Sequence, residues 1–231
     1  MAFQGYTQQT VDFMWGIRFN NERGWFLEHK DDYINTFLTP TRELGEQVYD
    51  AVHALLPDEP LMLKVSRIYR DARRLFGRGP YKDHLWWCIR TGDKDWTGRP
   101  TFWFELGPDY YSFGLGFWSP AAALMETYRK QIDAHPEELS KLVRQFNRQS
   151  VFTLDGLEYA RSKGQTSDLL RSWYQKKSLS LRWEGPLDER IFTSALAEDI
   201  IAGFKTLIPF YHYFNKLVAL TPRQERRGEE A

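Results

Sequence analysis

The chain has a single cysteine, Cys88, among 231 residues. No disulfide can close within it, and no CxxC pair is available to a structural metal. A reducing compartment suits such a chain, and a cytoplasmic location is expected. The five histidines, His29, His53, His84, His135 and His212, form no HxH or HExxH pair, so no metal site is expected. No apolar run reaches the ~18 residues of a membrane span, and no membrane partner is expected. The opening "MAFQGYTQQTVDF" has neither a basic start nor an apolar core, so it does not read as a signal peptide. Net charge is lacking too. The 31 Lys and Arg balance 31 Asp and Glu, which argues against a surface coated for nucleic acid. There is no GxSxG elbow and no GKS or GKT loop, and no motif implies a cofactor.

Aromatic residues are plentiful: 9 Trp, 12 Tyr and 16 Phe. Several rings must therefore be packed, and 231 residues suffice for a sizeable core. The first third reads as helices. One is capped by Thr7 or Thr10 and runs to Arg18. A second is capped by Asn20 or Asn21 and carries Trp25 or Phe26, then His29, Tyr33 and Phe37, at three-to-four spacing. A third starts at Thr39-Pro40 with Leu44, Val48, Ala51 and Leu55 as its apolar stripe. The middle switches to period two, with strands at 61–70 and 84–90 and a hairpin over 101–118 turning at Gly107-Pro108-Asp109. On its second strand Tyr111, Phe113, Leu115 and Phe117 face one way, and Tyr110, Ser112, Gly114 and Gly116 the other. Helices follow from Ser119-Pro120 and from Pro136. The last third predicts short strands in "FTLDG", "LEYAR" and "SLSLRW", then helices over 187–204 and 209–220. With no repeat or linker, this predicts one α+β domain over 1–220, an antiparallel or mixed sheet with N-terminal and C-terminal helices packed on it, and a charged tail at 221–231 that frays.

One stretch breaks the charge balance. "RIYRDARRLFGRGPYK" (67–82), with Lys64 before it, sets Lys64, Arg67, Arg70, Arg73, Arg74, Arg78 and Lys82 against Asp71 alone. Guanidinium groups offer planar forks of donors that suit carboxylate or phosphate, and a loop shaped by Gly77, Gly79 and Pro80 could present them. Arg67, Arg70, Arg73, Arg78 and Lys82 are the candidate ligands of a small anion. Asp71 could hold one Arg in place. If a reaction is catalysed, Asp71, Tyr81 and His84 are the candidate proton carriers. Two other readings compete. Glu22, Glu28, Asp31 and Asp32 could absorb the charge internally, in a structural or partner-binding protein. Or the stretch could bind nucleic acid, with bases stacked on Tyr69, Tyr81, Trp86 or Trp87. "GLGFWSP" (114–120) reads GxGxxS and lacks the acidic residue of a dinucleotide site. It leaves a helix N-terminus capped by Ser119, which favours an anion, and a bare face at Gly114 and Gly116 that takes either a ligand or a packed helix. Asn20 and Asn21 are either helix caps or neutral polar ligands at the same site. Cys88 reads as a small buried hydrophobe.

Three blocks, "FNNERGWFLEHKDDY" (19–33), "RIYRDARRLFGRGPYK" (67–82) and "GLGFWSPAAALMETYRKQI" (114–132), together resemble the DUF2461 family, whose pattern is roughly NNxxWF, RxxRDxRFSxxKxPYK and GxGxWxP before a helix. "LEYARSKGQTSDLLRSWYQKKSL" is similar to its later segment, and the resemblance spans about residues 8–217. Arg70, Asp71, Arg73, Pro80, Tyr81 and Lys82 match. Arg74-Leu75 replaces the family's Phe-Ser, and Arg78 stands where the family has Lys, which keeps a cation there. The family is one of unknown function, so the resemblance implies a shared fold and a functional region near these blocks, and no reaction.

Overall fold

A computed structural model describes residues 2–222. The tail expected from 221 onward lies outside the described residues from 223. The helices are α1 (Gln8–Phe19), α2 (Arg23–Glu28), α3 (Lys30–Asp32), α4 (Thr39–Leu55), α5 (Ala122–Ala134), α6 (Pro136–Phe146), α7 (Arg171–Tyr174) and α8 (Ala195–Leu220). The strands are β1 (Leu61–Val65), β2 (Leu85–Thr91), β3 (Pro100–Leu106), β4 (Tyr110–Phe117), β5 (Thr153–Asp155) and β6 (Ser180–Pro186). They form one sheet in the order β1-β2-β3-β4-β6-β5, antiparallel throughout, so the α+β expectation holds with an antiparallel sheet.

The pleat divides the sheet into two unlike faces. Trp87, Ile89, Phe102, Phe104, Phe113, Leu115 and Leu181 are buried on one of them. There α4 packs on β1 and β2, and α8 packs on β3 and β4. The helices come close where they carry no side chain. A Cβ on Gly45 would stand 3.2 Å from Leu63, and one on Gly203 would stand 2.9 Å from Phe152. Phe204 of α8 reaches Trp87, Phe102 and Phe113 across the sheet.

Several boundaries differ from the sequence reading. α1 begins after Thr7 as expected, but Asn20 ends it and the next helix starts at Arg23 behind Glu22. Neither asparagine caps a helix start, because Asn21 is engaged 60 residues away. The stripe of α4 is Thr41, Leu44, Gly45, Val48 and Val52, while Leu55 is exposed. The predicted 44, 48, 51, 55 series keeps the helical period, but the buried stripe is rotated about the axis toward Thr41, Gly45 and Val52, where α4 meets β1 and β2. β1 stops at Val65, and "LEYAR" supplies only the Glu158–Lys176 bridge. α5 starts at Ala122 with Ala121 at its N-cap, so Ser119 caps nothing and its N–H donates to Thr97 O. Over 187–194 the chain forms a 3₁₀ turn (Glu189–Phe192) capped by Asp188, and α8 then runs unbroken through Pro209. Proline inside a helix costs about 3 kcal/mol. Phe204 and Leu207 before it, with Phe210, Tyr211 and Phe214 after it, bury enough apolar surface to offset that.

Pro40 has a subtler consequence. In an α-helix the Thr36 carbonyl would accept from residue 40, which here has no N–H. A π-helical turn (Tyr33–Leu38) precedes α4, and the Thr10 hydroxyl donates to Thr36 O at 2.6 Å. Thr10 Oγ1 also accepts from Thr7 N at 3.1 Å, so one buried threonine starts α1 and ties it to the Pro40 turn. Thr10→Val should cost about 1–3 kcal/mol in urea unfolding. The loss should shrink in a Pro40→Ala background, where residue 40 regains its N–H. An undiminished loss in the double-mutant cycle would separate the two residues.

Candidate functional site

Between β1 and β2 the cationic block folds as a second, smaller hairpin. Arg70 N donates to Pro80 O and Lys82 N to Ile68 O, which pairs Tyr69 with Tyr81. At its tip, Asp71 accepts from Arg73 N and grips the Arg73 guanidinium through both oxygens. Phe76, at φ 46°, and Gly77, at φ 78°, turn the chain back. The Phe76 ring is 81% exposed.

The "FNNERGWF" block clamps this hairpin. Asn21 Nδ2 donates to Tyr81 O and Asn21 Oδ1 accepts from Tyr81 N, both at 2.9 Å. Gly79 makes room for that amide, since a Cβ there would fall 2.2 Å from Asn21 Oδ1. Tyr81 is buried with its ring stacked on Phe26 at 4.3 Å. It is a packing residue, and burial raises its pKa. Asn20 is turned back onto its own helix, donating to Gly16 O.

Asp83, which the sequence reading passed over, organises the charges. Arg18 Nε donates to Asp83 Oδ2 at 2.6 Å, and Arg18 Nη1 to Asp109 Oδ2 in the β3–β4 turn at 2.5 Å. His84 Nδ1–H donates to Asp83 Oδ1 at 3.0 Å, and Arg70 Nη2 stands 4.0 Å from the same oxygen. The His84 hydrogen bond and then Arg18 hold the Asp83 carboxyl well below the usual carboxylate range, against the effect of its burial. Arg70 also donates from Nε to Tyr81 O.

The five candidate cations therefore do not form one cluster. Arg73 is 87% exposed and paired with Asp71, and Arg67 and Arg78 are exposed. Arg70 turns inward to Asp83. Lys82 alone leans over the sheet. Its Nζ stands 5.6 Å from the centre of the Trp86 ring and makes no ion pair among the described residues. Burial, then Arg70, bring Lys82 down to about 8. Glu105 opposes that shift and Arg67 adds to it. Glu22, Glu28, Asp31 and Asp32 form no ion pair with the block among the described residues. Trp87 and Tyr81 are core residues and cannot stack bases.

Lys82 borders the sheet's second face, on which, among the described residues, no α-helix packs as α4 and α8 do on the first. The register lays out its rows. Trp86 pairs with Glu105, then Ser112, then Glu184; Cys88 with Trp103, then Gly114, then Arg182; Thr101 with Gly116, then Ser180. A cavity of about 390 Å³ opens here, walled by Trp86, Trp96, Trp103 and Trp118 and floored by Ser112, Gly116 and Arg182. Cations lie over its rings. Arg90 is 4.7 Å from the Trp96 centroid and Arg182 is 5.8 Å from that of Trp103. Glu105 accepts from the Tyr110 hydroxyl, and burial followed by that bond raises the tyrosine's pKa. Gly116 lines the cavity, but both glycines are also demanded by the neighbouring strand. A Cβ on Gly114 would fall 2.1 Å from Leu181 O, and one on Gly116 2.5 Å from Leu179 O. Close approach of β6, not of a helix, is what they permit. A more open groove of about 550 Å³, with Glu59, Asp95 and Arg99 in its walls, has no aromatic wall.

Among the described residues no group of three or more His, Cys, Asp and Glu could hold a metal ion, and no helix is long and apolar enough to cross a membrane. The chain belongs to the family described as "Conserved hypothetical protein (DUF2461)", which matches residues 9–213. No curated protein matches it.

Asp83→Asn tests the hub. A carboxyl whose folded pKa is depressed stabilises fully above its unfolded value near 4 and loses that contribution as pH falls below it. The variant should be less stable than wild type at pH 7 by about 1–3 kcal/mol. Its further loss on acidification from pH 5 should be smaller than that of wild type. Parallel stability curves for the two proteins would contradict this assignment.

Proposed function

We propose that this protein binds a small anionic ligand with a flat apolar part on the second face of its sheet. The flat part fills the tryptophan-walled cavity, and Lys82, backed by Arg70 and Arg67, meets the phosphate or carboxylate. One observation carries the reading. A partly buried ammonium that makes no ion pair among the described residues, with Glu105 of the cavity wall as its nearest acidic influence, stands beside a cavity of ligand size. Leaving a charge half out of water is unfavourable, and an arriving anion would relieve it. Purely internal use of the cations accounts for Arg73 with Asp71 and Arg18 with Asp83, but not for Lys82. The exposed tip at Phe76 is the part of the block best suited to a nucleic acid, which is the competing reading.

Tryptophan fluorescence and thermal shift with phenyl phosphate, benzoate, inorganic phosphate and a ten-residue oligothymidylate test this. Phenyl phosphate should bind more tightly than inorganic phosphate. Its affinity should fall as pH rises through about 8, because Lys82 then loses the proton that attracts the anion. Trp103→Ala should weaken binding about tenfold, the scale of ~1–3 kcal/mol per stacked ring, and Lys82→Gln should abolish the pH dependence. Binding that survives both changes, or a strong preference for the oligonucleotide that Arg73→Ala removes, would overturn the proposal.

A further inference from the structure

We infer that the floor of the tryptophan-walled cavity is a polar subsite for a heteroaromatic ring, formed by the Ser112 hydroxyl and the Arg182 Nε–H. The inference rests on the site proposed above and narrows its ligand to an anion whose flat part carries hydrogen-bonding atoms. Ser112 is 1% exposed, its Oγ is buried without a hydrogen-bond partner among the described residues, and it lines the cavity. Arg182 lines the same cavity. Its two terminal nitrogens face Asp155 and Glu184, and its buried Nε is likewise without a partner. The carboxylates that flank Ser112 in the register have partners already, Glu105 in Tyr110 and Glu184 in Arg182.

Buried polar groups are nearly always satisfied. These two expose less than 1 Å² each beneath a cavity that their own residues line, so a small turn of either side chain toward it would bring the orphan to a ligand's atoms. The chemistry of that ligand follows from the two groups. Arg182 Nε can only donate, so it requires an acceptor, and the serine hydroxyl can donate or accept. Planar walls at Trp86 and Trp103 select a flat ring, and Gly116 keeps the floor low. Ser112 stands two strands from Trp86 in one row, roughly 10 Å by strand spacing. A single ring bearing an anionic arm can therefore touch the floor and reach toward Lys82. Nucleotides and heteroaromatic carboxylates share this chemistry.

Matched probes separate the inference from the reading beneath it. AMP is compared with phenyl phosphate, and nicotinate with benzoate, by calorimetry on wild type, Ser112→Ala and Arg182→Lys. The first member of at least one pair should bind about tenfold more tightly, the scale of one buried hydrogen bond. Both substitutions should shrink that preference while the second member's affinity holds. Ser112→Ala removes a single atom, so loss of the fold does not confound it. Arg182→Lys keeps the charge but removes the Nε donor together with the paired hold on Asp155 and Glu184, and is read only beside a thermal melt that shows it folded. Equal affinities within both pairs, or a preference untouched by both variants, overturns the inference and leaves the anion site standing if Trp103→Ala and Lys82→Gln still weaken phenyl phosphate. Failure of every probe to bind wild type removes both.

Discussion

Alternation along an antiparallel strand constrains this molecule more than any single contact. Each strand must place successive side chains on opposite faces. Here one face received the phenylalanines, leucines and Trp87 that α4 and α8 bury, and the other received Trp86, Trp103, Ser112 and Arg182. A sheet covered by helices on one side only normally turns a polar side to water. This one turns tryptophans outward with cations over their rings, which is too apolar for a solvated face and too charged for a core. The cavity follows from that mismatch, as do the orphaned hydroxyl and Nε at its floor.

The cationic hairpin depends on the same geometry at one remove. It leaves β1, returns into β2, and is held where it joins the sheet. Asn21 replaces a backbone strand at Tyr81, and Asp83 collects Arg18, Arg70 and His84. These clamps use neutral amides and internal ion pairs, so much of the local positive charge is neutralised at the base of the loop. Arg67 and Arg78 stay exposed at the surface, and Lys82, which makes no ion pair among the described residues, is delivered by the hairpin to the edge of the aromatic face.

Much of the fold was legible in the sequence because period-two runs and proline signals act locally. The β3–β4 hairpin, its turn at Gly107-Pro108-Asp109 and the in-and-out assignment of β4 all follow from residues within a few positions of one another. Breaks set by distant partners were not legible. Asn21 looks like a helix cap until Tyr81 claims its amide, and Pro209 looks like a terminus until its helix spans the sheet. The candidate site was legible only in part. Charge density drew attention to Arg67, Arg73 and Arg78, which the fold leaves exposed. Trp103, Glu105, Ser112 and Arg182 sit in segments whose alternation was readable, but their convergence depends on a strand order that pairs β4 with β6 across a gap of more than sixty residues. Asp83 was hidden because its partner Arg18 lies 65 residues away.

The central claim is one of place: a ligand is received on the open sheet face and not at the tip of the cationic hairpin. Indole N–H resonances of the nine tryptophans report on place directly. With signals assigned by single Trp→Phe variants, titration with phenyl phosphate should shift Trp86, Trp96 and Trp103, and leave Trp25 on α2 and Trp173 under α8 where they are. Shifts confined to backbone amides of residues 71–79, with all nine indoles unmoved, would contradict the account.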